Sequence, residues 1–236
     1  MSNRLIDHPF LRTARTQRGL WDRFDHLVTA DSWTTTLTDS GSAAITTVGL
    51  TISPSDGTVA DNDEAYVAST SALFKFEEGK PIYIETLALF SEPNTNTANY
   101  MFGLMETVAA NSLQDNGGGP EADYDGCVIH KVDGGTVWLC ESSLGTSQTT
   151  TTSRHTVHDA TNYQRLGIEV DPFSSTQCRI SYFLDGLPME DANRIPITHT
   201  MTYTGGAAMQ LVLGAKNGSA HQCAIVTRYL GGEQLF

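Results

Sequence analysis

Apolar side chains recurring at every second residue, interrupted by turn residues, most limit what this chain can fold into. The clearest stretch is Tyr163–Met189, YQRLGIEVDPFSSTQCRISYFLDGLPM. Leu166, Ile168 and Val170 alternate with Gly167, Glu169 and Asp171, which gives a strand one apolar and one polar face. Asp171-Pro172 and Ser174-Ser175 supply a turn. Ile180, Tyr182 and Leu184 then return against Arg179, Ser181 and Phe183, and Asp185-Gly186 marks a second tight turn.

The rhythm extends along most of the 236 residues. Strands are expected at 32–38, 43–52, 65–69, 73–76, 81–90, 100–106, 126–132, 136–141, 195–203, 207–215 and 222–230, separated by Gly, Pro, Asn, Asp and Ser. Ile82–Phe90 is apolar on nearly both faces, as in a central strand. Thr107–Asp125, with Asn116-Gly117-Gly118-Gly119-Pro120, reads as the longest irregular segment, and Ser142–Thr152 as a Ser/Thr-rich loop. Residues 1–30 stand apart as an N-terminal arm. Leu20, Trp21, Phe24 and Leu27 lie at helical spacing there, so a short helix is expected. Residues 31–236 read as one domain.

The paired-strand pattern resembles the central hairpin of concanavalin-like sandwiches, and Phe102-Gly103-Leu104 is similar to a strand of the same class. The resemblance implies an all-β fold: a two-sheet antiparallel jelly-roll sandwich, concanavalin/laminin-G-like. That fold serves lectins, glycan hydrolases and many phage virion proteins, so it does not fix a function.

Charge narrows the partners. The net charge is −13, which disfavours nucleic acid and anionic membrane. Residues 1–26 nevertheless hold five arginines against three acids, a basic arm on an acidic body. No segment reaches the ~20 apolar residues of a membrane span. Residues 1–26 lack the apolar core of a secretory leader, and the four cysteines (Cys127, Cys140, Cys178, Cys223) form no Cys-x-x-Cys pair. Buried, reduced thiols and folding in a host cytoplasm are expected.

No catalytic signature is present. Glu169 and Asp171 share a strand face, similar to the acid strand of concanavalin-like glucanases. Phe173 and Ser174 stand where that family's third acid would be. A solvated pair opposite Arg179 is the expected role. His155 and His158 lack a third metal ligand. Asp61, Asp63 and Glu64 offer oxygens of the kind Ca²⁺ takes, although the spacing matches no twelve-residue calcium loop. Trp33, Trp138 and Tyr163 are candidates to line a sugar site, with a core position the alternative. No cofactor is expected.

The whole plan resembles a phage head decoration (cement) protein. It combines a basic arm, an acidic Thr/Ser/Gly-rich jelly roll, long loops and free cysteines. The resemblance implies a non-enzymatic virion protein on the capsid surface, a homotrimer bound to the major capsid protein. Arg12, Arg15, Arg18, Trp21 and Phe24 would make the contact with the capsid or a neighbouring subunit. The alternative is a carbohydrate-binding module of a tail fibre or host-recognition protein, with glycans as partners.

Overall fold

A computed structural model describes residues 17–27, 31–39, 41–55, 58–92, 97–158, 160–203, 205 and 207–235. Two antiparallel sheets form a sandwich. The first runs β3 (Ser42–Thr46), β4 (Gly49–Ser53), β17 (Ala224–Leu235), β7 (Ile82–Ser91), β12 (Gln164–Pro172), β13 (Gln177–Leu184) and β14 (Leu187–Pro188). β1 (Gln17–Asp22) adds to β17 and β15 (Thr198–Thr202) to β13. The second runs β11 (Ser147–Thr156), β10 (Val137–Leu144), β9 (Gly126–Lys131), β8 (Ala98–Met105), β16 (Ala208–Asn217), β5 (Glu64–Ser69) and β2 (Trp33–Leu37), with β6 (Phe74–Lys75) on β16.

The hairpin legible in the sequence is β12–β13, with Leu166 opposite Leu184, Ile168 opposite Tyr182 and Val170 opposite Ile180. Asp185 and Gly186 both have positive φ, as a two-residue turn that matches strand twist requires. β7 is central, flanked by β12 and β17. Between the sheets the alternating inward side chains, Trp33, Phe74, Phe90, Phe102 and Trp138 among them, are fully buried.

Three expectations are corrected. Residues 17–22 are a strand, not a helix: the long β17 leaves an edge beside β4, and β1 pairs with it from Gln17 opposite Leu235 to Asp22 opposite Leu230. Pairing that edge outweighs a weak helical pattern that contains Gly19. The sandwich therefore begins inside the arm assigned to residues 1–30. The expected strand 43–52 is a hairpin, β3–β4, turning at Thr47-Val48. Ser142–Thr152 is not a loop: β10 and β11 pair across it, Leu144 opposite Ser147, since β-branched threonines suit an exposed edge strand.

Thr107–Asp125 does lack strands apart from one isolated bridge, Leu113 to Pro120. It lies over the outward face of the second sheet, and Leu113, Tyr124 and Val108 pack there on Tyr66, Met101, Met105 and Val212. Polar clamps fix it. Lys216, fully buried, reaches Glu64 (3.3 Å), Asp115 (2.5 Å), the Asn111 Oδ1 (2.7 Å) and the Leu113 carbonyl (2.9 Å). The Tyr66 hydroxyl donates to Glu64 and accepts from the Leu113 N–H.

Candidate functional site

This segment covers the outward face of the second sheet over β5, β8, β9 and β16, while β11 stays largely exposed. Beneath it, Glu141 accepts from Thr150 (2.5 Å) and Tyr124 (3.1 Å), and the His130 Nε2 lies 3.6 Å away. Burial pushes the Glu141 carboxyl up, but these partners bring it below its ordinary value.

The outward face of the first sheet is different. Residues directly opposite one another on adjacent strands point to the same side. Trp21 faces Gly231, Gly231 faces Glu85, Glu85 faces Gly167 and Gly167 faces Phe183. One row thus crosses β1, β17, β7, β12 and β13. At about 4.8 Å per strand it spans ~19 Å. Its ends are aromatic and two of its three inner positions carry no side chain. The glycines are functional in a steric sense: a Cβ on Gly231 would lie 2.4 Å from Trp21 Cε3. The indole therefore lies on bare backbone, 37% exposed.

Glu85 forms the polar centre of this trough. Tyr83 from the neighbouring row donates to its Oε2 at 2.5 Å, and Tyr229 from the other side donates to its Oε1. Burial and the adjacent carboxylate push both phenols well above their ordinary range, so both stay donors. The Arg165 Nε is 3.8 Å from Glu85 Oε1 and makes no hydrogen bond of its own. The Trp21 and Tyr229 rings sit 6.3 Å apart, tilted by 50°. The result is an exposed ring face beside two tyrosines anchored on a buried carboxylate and a partly exposed guanidinium. This arrangement can stack on an apolar ring surface, with the partly exposed Tyr83, Tyr229 and Arg165, not Glu85, as the polar groups at its edge.

Only one of the five expected contact residues is both described and exposed, namely Trp21. Arg12 and Arg15 lie outside the described residues. Arg18 has a described backbone opposite Gln234 and an undescribed side chain. Phe24 is corrected: a positive φ of 55° turns the chain after β1 and sends the ring into the core, 5.5 Å from Trp33 and 2% exposed. The calcium candidates do not converge. Asp63 accepts from Ser55 and the Ala60 N–H, while Glu64, the next residue on β5, points to the opposite face and Lys216. No group of three or more metal-ligating side chains exists among the described residues.

Trp33 and Trp138 are core, whereas Tyr163 is half-exposed and carries the Arg228 guanidinium 4.5 Å from its ring centre. Asp171 is paired with Arg179 at 2.8 Å, the solvated role expected. The His155 Nε2 accepts from the Glu190 N–H, which separates it from any metal role with His158. Tyr83, Glu85, Arg165 and the two glycines were not singled out in the sequence. A glutamate inside the apolar run Ile82–Phe90 is the signal that marks them, but register across five strands is needed to bring Trp21 beside it.

No family model matches the sequence, and no curated protein sequence matches it. Solved structures do. The metal-free carbohydrate recognition domain of Emp46p superposes with a TM-score of 0.57 at 11% identity, covering 85% of this chain and 87% of that one. A legume lectin-like domain from Entamoeba histolytica gives 0.54 at 11%, covering 85% and 89%. An endo-β-1,4-glucuronan lyase from Trichoderma reesei gives 0.57 at 12%, covering 93% and 95%. At such identities the likeness is one of fold, and that fold carries both lectins and enzymes. The chain folds as a concanavalin/legume-lectin-like β-sandwich.

Proposed function

We propose that this chain is a non-catalytic carbohydrate-binding module that takes a glycan on the trough from Trp21 to Phe183. The carrying observation is the row Trp21–Gly231–Glu85–Gly167–Phe183, an exposed indole on a glycine floor beside a carboxylate already fixed by two tyrosines. At 2% exposure and with both oxygens accepting from tyrosines, this carboxylate anchors the Tyr83 and Tyr229 rings and is not placed to act on a ligand. The fold neighbours, a carbohydrate recognition domain, a legume lectin-like domain and a glucuronan lyase, support sugar as the ligand class.

A glycan panel followed by titration calorimetry on the best ligand tests this. Trp21→Ala should weaken binding about tenfold or more, as loss of an aromatic anchor does. Wild-type affinity in Trp21→Ala would remove the trough from the reading. The virion reading, a homotrimer on the capsid surface, keeps Trp21 as its one exposed contact residue among the described side chains. Co-sedimentation with shells of the major capsid protein tests it separately, and saturable binding lost in Trp21→Ala would favour it.

A further inference from the structure

We propose that the cleft beside the trough, where β1 ends and β4 begins along β17, binds the carboxylates of an acidic, uronic-acid-containing glycan through Arg23 and Arg228. The inference rests on the carbohydrate reading and names the ligand class.

The cleft is a product of strand pairing. β4 covers β17 as far as Thr227, and β1 takes over at Leu230. Arg228 and Tyr229 fall in the gap, at the point where the β17–β7 register shifts by one residue. Such a bulge turns successive side chains toward one face. Thr227 is buried against Thr86, whereas Tyr229 reaches Glu85 and Arg228 lies over Tyr163. The guanidinium is thereby set to one side of the row, three residues along β17 from Gly231. Arg23, Asp25, Thr46 and Val48 complete an open cleft of about 520 Å³.

Charge then decides the ligand. The chain carries a net charge of −13. Most basic side chains among the described residues are matched to a carboxylate, such as Lys131 to Glu92, Arg154 to Glu190 and Lys216 to Glu64. Among the described residues Arg23 and Arg228 form no ion pair, although Asp25 lies in the same wall. A guanidinium stacked on an aromatic ring keeps its in-plane N–H groups free, and these fit a planar carboxylate. An anion approaching so acidic a surface needs such a local pair to hold it.

The test uses the full chain, a panel of neutral and acidic oligosaccharides, and one matched pair: an oligoglucuronate and its carboxyl-reduced counterpart. Wild type should bind the acidic form at least about tenfold tighter, the effect of a charge-assisted hydrogen bond, and salt should erode the difference. R23Q/R228Q should erase that preference while keeping the neutral affinity and the thermal melting point. Equal wild-type affinities, or a preference that survives in R23Q/R228Q, would overturn the assignment. If neutral glycans bind and acidic ones do not, the carbohydrate reading stands and this cleft falls. If nothing in the panel binds, both fall.

Discussion

The Trp21 indole lies on the bare backbone of Gly231, and the two residues face each other across β1 and β17. A methyl group at 231 would stand 2.4 Å from Trp21 Cε3 and 2.6 Å from the Leu20 carbonyl. Gly231→Ala must therefore tilt the indole or loosen β1, at a cost of about 1–3 kcal/mol. Trp33 and Trp138 are fully buried, so Trp21 is the tryptophan a collisional quencher can reach. Acrylamide should quench a larger share of the emission in Gly231→Ala, and glycan affinity should fall with it. Unaltered quenching and denaturant midpoint would show that β1 does not need the glycine.

His199 is held neutral inside the sandwich. Its Nδ1 meets Ser142 (3.0 Å) and Tyr182 (3.1 Å), and its Nε2 meets Thr151 (3.0 Å). Burial lowers its pKa from 6.5 to about 4, with Glu141 pulling weakly the other way. A depressed histidine binds fewer protons folded than unfolded between those values. Stability is therefore lost as pH falls from 6.5 toward 4, by up to ~3 kcal/mol. His199→Gln should be less stable at pH 7 and lose less on acidification. Parallel stability–pH curves for the two proteins from denaturant melts would refute this.

All four thiols are buried and unpaired. Burial pushes each of them up, Cys178 to about 12. Since the thiolate is the reactive form, Ellman's reagent should be silent on the native protein at pH 8 and should titrate four thiols in denaturant. A rapidly reacting native thiol would mean that the sandwich opens locally near that cysteine.

Much of the architecture was legible because alternation is a local signal. Leu166, Ile168 and Val170 announced their face, and Asp185-Gly186 announced its turn. β1 was not legible, because nothing near residues 17–22 reveals that β17 has an unpaired edge for them. Phe24 was misplaced with it: helical spacing put the ring outside, and a single positive φ puts it in the core. The candidate site failed for the same reason on a larger scale. Trp21, Glu85, Gly167 and Gly231 are distant in sequence, and only strand register aligns them.

The segment over the second sheet rests on Lys216, so its attachment can be tested there. Lys216 is fully buried, Glu64 is 2% exposed, and the same ammonium holds Asp115, Asn111 and Leu113. Removing one partner of a buried pair leaves a charge without compensation, which costs about 3–5 kcal/mol. Lys216→Met should lose that amount in a denaturant melt and should make 107–125 a site of rapid proteolysis. Lys216→Met/Glu64→Gln removes the ammonium and the buried Glu64 carboxylate and should recover part of the loss, because the carboxylate then left without a partner is that of Asp115, 52% exposed to water. If Lys216→Met melts within 1 kcal/mol of wild type, the clamp is not what holds the segment, and the apolar contacts of Leu113 and Tyr124 carry it instead.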